Sequence, residues 1–217
     1  MKPLASLKQP ANPVLIFWIA IGLVGFFAVP WYGVEDFFKF EWLIDGYPFD
    51  ADYAPAAFLL GQAEKLWLAP LILPLLAPFA VLRKRKSDPL YARVLIVAGA
   101  IGLGWIILQG FSIGIRGWNF GWLQVFFGNL NDRQYGMGYG GMLVAVAFLF
   151  LFTQGIAARG AINGDVFVVS SISGIVVIVT IFVFFPIAKM LTAAFITDGG
   201  GYSLSVFASK FFDDRLW

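Results

Sequence analysis

The chain has neither histidine nor cysteine. The side chains that most often hold zinc, copper, haem or iron–sulfur clusters, or that build a Ser–His pair or a thiol nucleophile, are therefore missing. Three kinds of grouping remain to be weighed for chemistry: carboxylates, hydroxyls and a glycine run. Glu35, Asp36, Asp50 and Asp52 fall in one loop, roughly residues 33–53, whose only cation is Lys39. Hard cations favour oxygen ligands, but carboxylates scattered along such a loop read first as solvated charge. The run Gly136-Met137-Gly138-Tyr139-Gly140-Gly141 lacks the Lys-Ser/Thr of a phosphate loop and follows no strand. It points instead to close helix packing or a flexible start to a helix. Ser170, Ser171, Ser173 and Thr180 lie in an apolar run, where hydroxyls ordinarily bond back to helix carbonyls. The expectation is a protein that is not an enzyme, with no catalytic, cofactor-binding or metal-binding residues. A net charge of +2 gives no reason to expect a nucleic-acid partner.

The elements that would position any such group are membrane spans. Hydrophobic residues make up 60% of the chain and charged residues 13%, against about 25% charged in an ordinary soluble domain. Gln9 to Val34, Leu66 to Leu82, Val94 to Ile115, Gln134 to Ala158 and Val166 to Ala188 contain no charge. Each is close to or above the ~20 residues that cross ~30 Å of hydrocarbon as a helix. The runs do not alternate apolar and polar positions as barrel strands do. The fold class is thus an all-α integral membrane protein with about five transmembrane helices and short interfacial amphipathic helices, its partner being membrane lipid.

The spans fall near residues 14–32, 55–82, 92–113 and 136–157, with a fifth from 166 to 188 ending in Phe184-Phe185-Pro186. Pro70, Pro74 and Pro78 recur every fourth residue, each removing a backbone donor, and predict a bent helix packed against neighbours. Ala98, Gly99, Gly102 and Gly104 predict close helix approach. Residues 117–131 predict a short interfacial helix with Trp118, Trp122, Val125 and Phe126 on one face. Cytoplasmic loops are enriched in Lys and Arg. With the N-terminus cytoplasmic, the inner side holds eight basic residues, Arg83-Lys84-Arg85-Lys86 among them, against two acidic, and the outer side seven against eleven. Beyond Gly199-Gly200-Gly201, Ser203 or Ser205 can cap a last amphipathic helix with Leu204, Phe207, Ala208 and Phe211 on its apolar stripe.

The pattern Phe184-Phe185-Pro186, Leu191, Ala194-Phe195, Gly201-Tyr202-Ser203-Leu204, Phe207, Phe211 and Arg215-Leu216-Trp217 resembles the opening of binding-protein-dependent ABC importer permeases, the large fused iron(III) type in particular. Pro30-Trp31-Tyr32, Gln109-Gly110-Phe111 with Gly117-Trp118-Asn119, and Tyr135-Gly136-Met137-Gly138 are similar to the accessory N-terminal helices of that group. The resemblance implies residues 1–165 as accessory membrane helices and 166–217 as the start of a permease core. It also implies a bacterial inner-membrane setting, an ABC ATPase subunit and a periplasmic substrate-binding protein as partners, and a longer intact permease. The Glu-Ala-Ala coupling loop of such permeases is absent from residues 1–217. The alternative is a non-catalytic membrane scaffold or accessory subunit of a larger complex.

Overall fold

The structure, a computed structural model, describes residues 12–114, 117–130, 136–195 and 203–212. Three of its helices are long and apolar enough to cross a membrane: Pro89–Ser112 (α4), Tyr139–Ala158 (α6) and the run Val166–Ala194, which holds α7 (Val166–Val179) and α8 (Phe185–Ala194). Two shorter apolar segments accompany them, Pro13–Phe27 (α1) and Leu66–Val81. The remaining helices are α2 (Ala56–Gly61), α3 (Ile72–Leu76, inside the second short segment), α5 (Leu123–Phe127) and α9 (Leu204–Phe211). The chain divides into two units, Met1–Ser170 and Ser171–Trp217. The division falls inside α7, five residues beyond the boundary read from the sequence.

In the first unit, α6 is the central helix: half of its most apolar window is buried, against 22% of that in α4. It packs chiefly on α4 and α1, and small residues set the spacing. A Cβ added at Gly99 would lie 2.6 Å from the Phe152 Cβ, one at Gly155 2.9 Å from the Ala92 carbonyl, and one at Gly25 2.7 Å from the Gly140 carbonyl. On α4 the buried residues Tyr91, Leu95, Ala98 and Gly102 recur at intervals of four, three and four, a single stripe of the 3.6-residue period. Trp18 of α1 stacks on Phe150 of α6 at 3.8 Å.

The glycine-rich run resolves as close packing. The first N–H groups of a helix have no partner within it. At the start of α6 the Gly138 N–H donates to the Trp31 carbonyl (2.9 Å) and the Gly140 N–H to the Pro30 carbonyl (3.0 Å). A neighbouring backbone reaches these donors only because no side chain stands between them, and a Cβ on Gly138 would collide with the Tyr32 carbonyl.

The proline segment differs from a uniform helix. Leu66–Val81 runs as 3-10 turn, one α-turn (α3) and 3-10 turn again, and α2 is separated from it by residues 62–65. Because a 3-10 turn rises ~2.0 Å per residue rather than ~1.5 Å, these residues extend to about 30 Å, the thickness of the hydrocarbon core. In a 3-10 turn the Trp67 carbonyl would accept from residue 70, but Pro70 has no N–H. Trp105 Nε1 (2.8 Å) and Gln109 Nε2 (3.3 Å), one turn apart on α4, donate to it instead.

Two further departures have local causes. Trp118 lies on a strand, not on the face of an interfacial helix: β1 (Ile113–Gly114) pairs antiparallel with β2 (Gly117–Trp118). Asn119 fastens this hairpin to the end of α4, its N–H donating to the Ser112 carbonyl (2.8 Å) and its Nδ2 to the Phe111 carbonyl (2.6 Å). Only α5 remains helical in that stretch. In the second unit, the helix does not end at Phe184-Phe185-Pro186 but continues to Ala194. Pro186 would crowd the carbonyl four residues earlier. Thr180–Phe184 widens into a π-turn, the Phe185 N–H donating to the Thr180 carbonyl, and the proline is absorbed. Beyond it, α9 begins at Ser203, whose Oγ lies 2.8 Å from Ser205 Oγ rather than capping the helix, and Phe207 stacks on Phe195 at 4.5 Å. Gly199-Gly200-Gly201 lies outside the described residues.

Trp105→Phe removes the stronger donor to the Trp67 carbonyl and is expected to destabilise the protein by about 1–3 kcal/mol, with Trp105→Phe/Gln109→Leu worse than either change alone. The thermal midpoint of detergent-solubilised protein measures both.

Candidate functional site

Two ends of the first unit differ in chemistry. At one, aromatic residues gather. Trp67 meets Trp118 edge-on at 5.3 Å and Trp118 lies against Phe127 at 5.7 Å. Lys65 Nζ stands 5.4 Å from the Trp67 ring and 5.7 Å from that of Tyr32. Phe37 packs on Tyr139 at 4.3 Å, and Trp42 Nε1 donates to the Phe37 carbonyl (2.8 Å). Rings with one polar atom are the residues favoured where hydrocarbon meets headgroups. The loop carboxylates lie at this end on separate partners. Asp36 pairs with Lys39 at 2.7 Å with both side chains exposed, a geometry worth little in stability, and Asp50 Oδ1 accepts from the Asp52 N–H at 2.9 Å. Among the described residues no three Asp or Glu side chains gather.

The other end is basic and holds a cavity of about 340 Å³ lined by Lys86, Ser87, Tyr91, Gln154, Asn163 and Val166, among others. Each wall has a local cause. The α1 helix starts at Asn12, whose Oδ1 caps the Val14 N–H (3.2 Å) and whose Nδ2 donates to Tyr91 Oη (3.0 Å). The α4 helix starts at Asp88, which accepts from the Leu90 N–H (2.8 Å) and from Lys84 (3.0 Å). These two donors, the backbone N–H first, hold the Asp88 carboxyl below its ordinary pKa. The anchorage is therefore present at neutral pH and lost as pH falls through that lowered value. The α7 helix starts at Asp165, which accepts from the Phe167 and Val168 N–H groups. Between α6 and α7 the chain turns through positive φ at Gly160, Ile162, Asn163 and Gly164. Ile162 is β-branched and therefore strained there.

Neither a family model, nor a curated protein, nor a solved structure matches the chain.

Thr153 and Gln154 are the buried polar side chains among the described residues. Thr153 Oγ1 donates to the Phe150 carbonyl (3.0 Å) and lies 2.9 Å from Ser170 Oγ. Ser170 thus takes a side-chain partner, while Thr180 Oγ1 does bond back, to the Val176 carbonyl at 2.7 Å. Gln154 is 4% exposed, lines the cavity, and its Nε2 has no partner. Sequence reasoning passed over it because it is uncharged and lies in an apolar run. The available signal was a Thr-Gln pair in the last turns of an otherwise apolar span, where polar groups are rare and carry function.

Asn12→Ala removes a helix cap and the Tyr91 tether together and is expected to cost about 1–2 kcal/mol, whereas Tyr91→Phe, which removes the tether alone, costs about 1 kcal/mol. Thermal midpoints of the two variants in detergent give the order.

Proposed function

We propose that the chain is a membrane-embedded component of a transporter, crossing five times with its N-terminus cytoplasmic, and that it forms the front part of a permease of the binding-protein-dependent ABC importer type. The observation that carries the five-crossing reading is the alternation of apolar segments between two chemically distinct ends. The Asn12 N–H donates to the Leu82 carbonyl at the basic end. At the aromatic end Pro30 pairs with Pro55 and Tyr32 with Met137. Segment starts and finishes thus meet in turn. Arg83 to Lys86, Arg93 and Arg159 lie in or beside the loops at one end and the acidic loop 33–53 at the other, the polarity that insertion imposes on cytoplasmic loops.

The permease reading rests on the resemblance and is supported by Val166–Ala194. At 29 residues it is about 43 Å long, well beyond the hydrocarbon core, and is followed by the amphipathic α9. Ferric iron as substrate, an ATPase subunit and a periplasmic binding protein follow from the resemblance alone. The coupling element is expected outside residues 1–217, on the same or a companion chain. A scaffold or accessory role is the second reading, favoured by a first unit whose interior is aromatic and aliphatic apart from Thr153 and Gln154.

Because the chain has no cysteine, single substitutions report topology cleanly. Arg85→Cys is expected to react with a membrane-impermeant maleimide only after permeabilisation, and Asp45→Cys in intact spheroplasts. Labelling of both from the same side would sink the five-crossing reading. For the transporter, the protein tagged at its own locus is expected to co-purify with a nucleotide-binding subunit and residues 1–217 expressed alone are not. Retention of an ATPase by residues 1–217 would place the coupling contact inside them.

A further inference from the structure

We infer that the cavity at the basic end is a binding site for a phosphate-bearing anion, and that its occupant is the headgroup of an anionic phospholipid. Four observations converge on this. First, Gln154 lines the cavity, and its buried amide N–H₂ has no protein partner, so a donor there is left to be satisfied. Second, the two acidic residues of the surrounding loops are already engaged, Asp88 by the Leu90 N–H and Lys84, Asp165 by the α7 start. Among the described residues no carboxylate forms an ion pair with Lys86, which lines the cavity. Third, the other polar groups on the wall can donate: Ser87, the Asn163 amide, and Tyr91, whose oxygen already accepts from Asn12 and whose O–H remains to give. Fourth, the cavity lies where α4 begins, α6 ends and α7 begins. In a membrane-spanning bundle that is headgroup depth, and a basic pocket there favours anionic lipid. Its volume, about 340 Å³, is at the small end of ligand pockets and suits a headgroup with its glycerol carbons against Val166 and Ala157.

The site does not depend on the transporter reading, and its test involves no ATPase, so the two stand or fall separately. Purified full chain in mild detergent is titrated with phosphatidylglycerol and with phosphatidylcholine of the same acyl length, binding being read by native mass spectrometry and by thermal midpoint. Phosphatidylglycerol is expected to bind about tenfold more tightly than phosphatidylcholine. Lys86→Ala or Gln154→Leu is expected to remove about that factor, the worth of one charge-assisted or buried hydrogen bond. Gln154→Glu, which adds a negative charge, is expected to abolish binding. Inorganic phosphate at millimolar concentration separates the sources. Failure to displace the lipid marks a headgroup site. Displacement, with a stabilisation that needs Lys86 and Gln154, keeps the anion site and overturns the lipid as its occupant. Equal binding of the two lipids, undiminished binding by Gln154→Glu, or an equal loss in Arg85→Ala, which alters a basic residue off the cavity wall, would each overturn the site. The cavity would then hold water only. Lys86 is exposed, so its alanine variant folds whatever the fate of the Gln154 variants.

Discussion

Inside hydrocarbon no water is at hand to take up a stray backbone hydrogen bond, so every N–H and C=O must be matched within the protein. This rule accounts for the least regular parts of the structure. A proline every fourth residue strips donors from Leu66–Val81, and the chain answers with 3-10 turns and with Trp105 and Gln109 reaching across from α4 to the Trp67 carbonyl. Pro186 is carried inside a continuous helix by widening the preceding turn. The first donors of α6 find carbonyls of Pro30 and Trp31. In each case the sequence feature that breaks a helix in water is kept and its consequence absorbed by a neighbour.

Those repairs also fix how the helices pack. Lipid tails are as apolar as leucine, so nothing hydrophobic drives one span onto another, and close van der Waals contact has to suffice. Gly22, Gly25, Gly99, Gly102, Gly138, Gly140 and Gly155 each stand where a Cβ would overlap a neighbouring segment of the chain. Gly138 and Gly140 therefore serve contact and donor matching together. A larger residue at Gly140 would separate α6 from α1 and also strand the N–H that Pro30 receives.

Much of this was legible in the residues. Charge-free runs marked the apolar segments, the proline spacing announced a helix in need of neighbours, and Gly136 to Gly141 announced either close packing or a flexible start to a helix. What local pattern could not supply was the partner. Nothing near Pro70 names Trp105, and nothing in GWNFGWLQVFF separates a helical face from a hairpin until Asn119 is seen fastened to the end of α4. The fifth run illustrates the same limit. Pro186 is a sound stop signal for an isolated helix, and it failed because the turn before it could widen. Segment bounds shifted too: the span expected over residues 55–82 divides at residues 62–65, and its proline part runs largely as 3-10 turn, which rises further per residue than an α-helix.

Gln154 stands against this background as one of two exceptions among the described residues, the buried Tyr32 hydroxyl being the other. Its neighbour Thr153, one position along and equally buried, is fully engaged by Phe150 and Ser170. The helix that carries both is therefore capable of satisfying polar groups, yet it leaves the Gln154 Nε2 without a partner beside a cavity. The turn that supplies Gly160, Asn163 and Gly164 to the lining holds Ile162 at φ 49°, ψ 49°, a conformation that costs a β-branched residue of order 1–3 kcal/mol and that persists only where its surroundings impose it. Keeping an unmatched donor, a strained turn and an exposed lysine around one opening makes sense when something outside the chain completes the hydrogen bonding. At the ends of three membrane-length helices, the acceptors within reach are those of the headgroup layer.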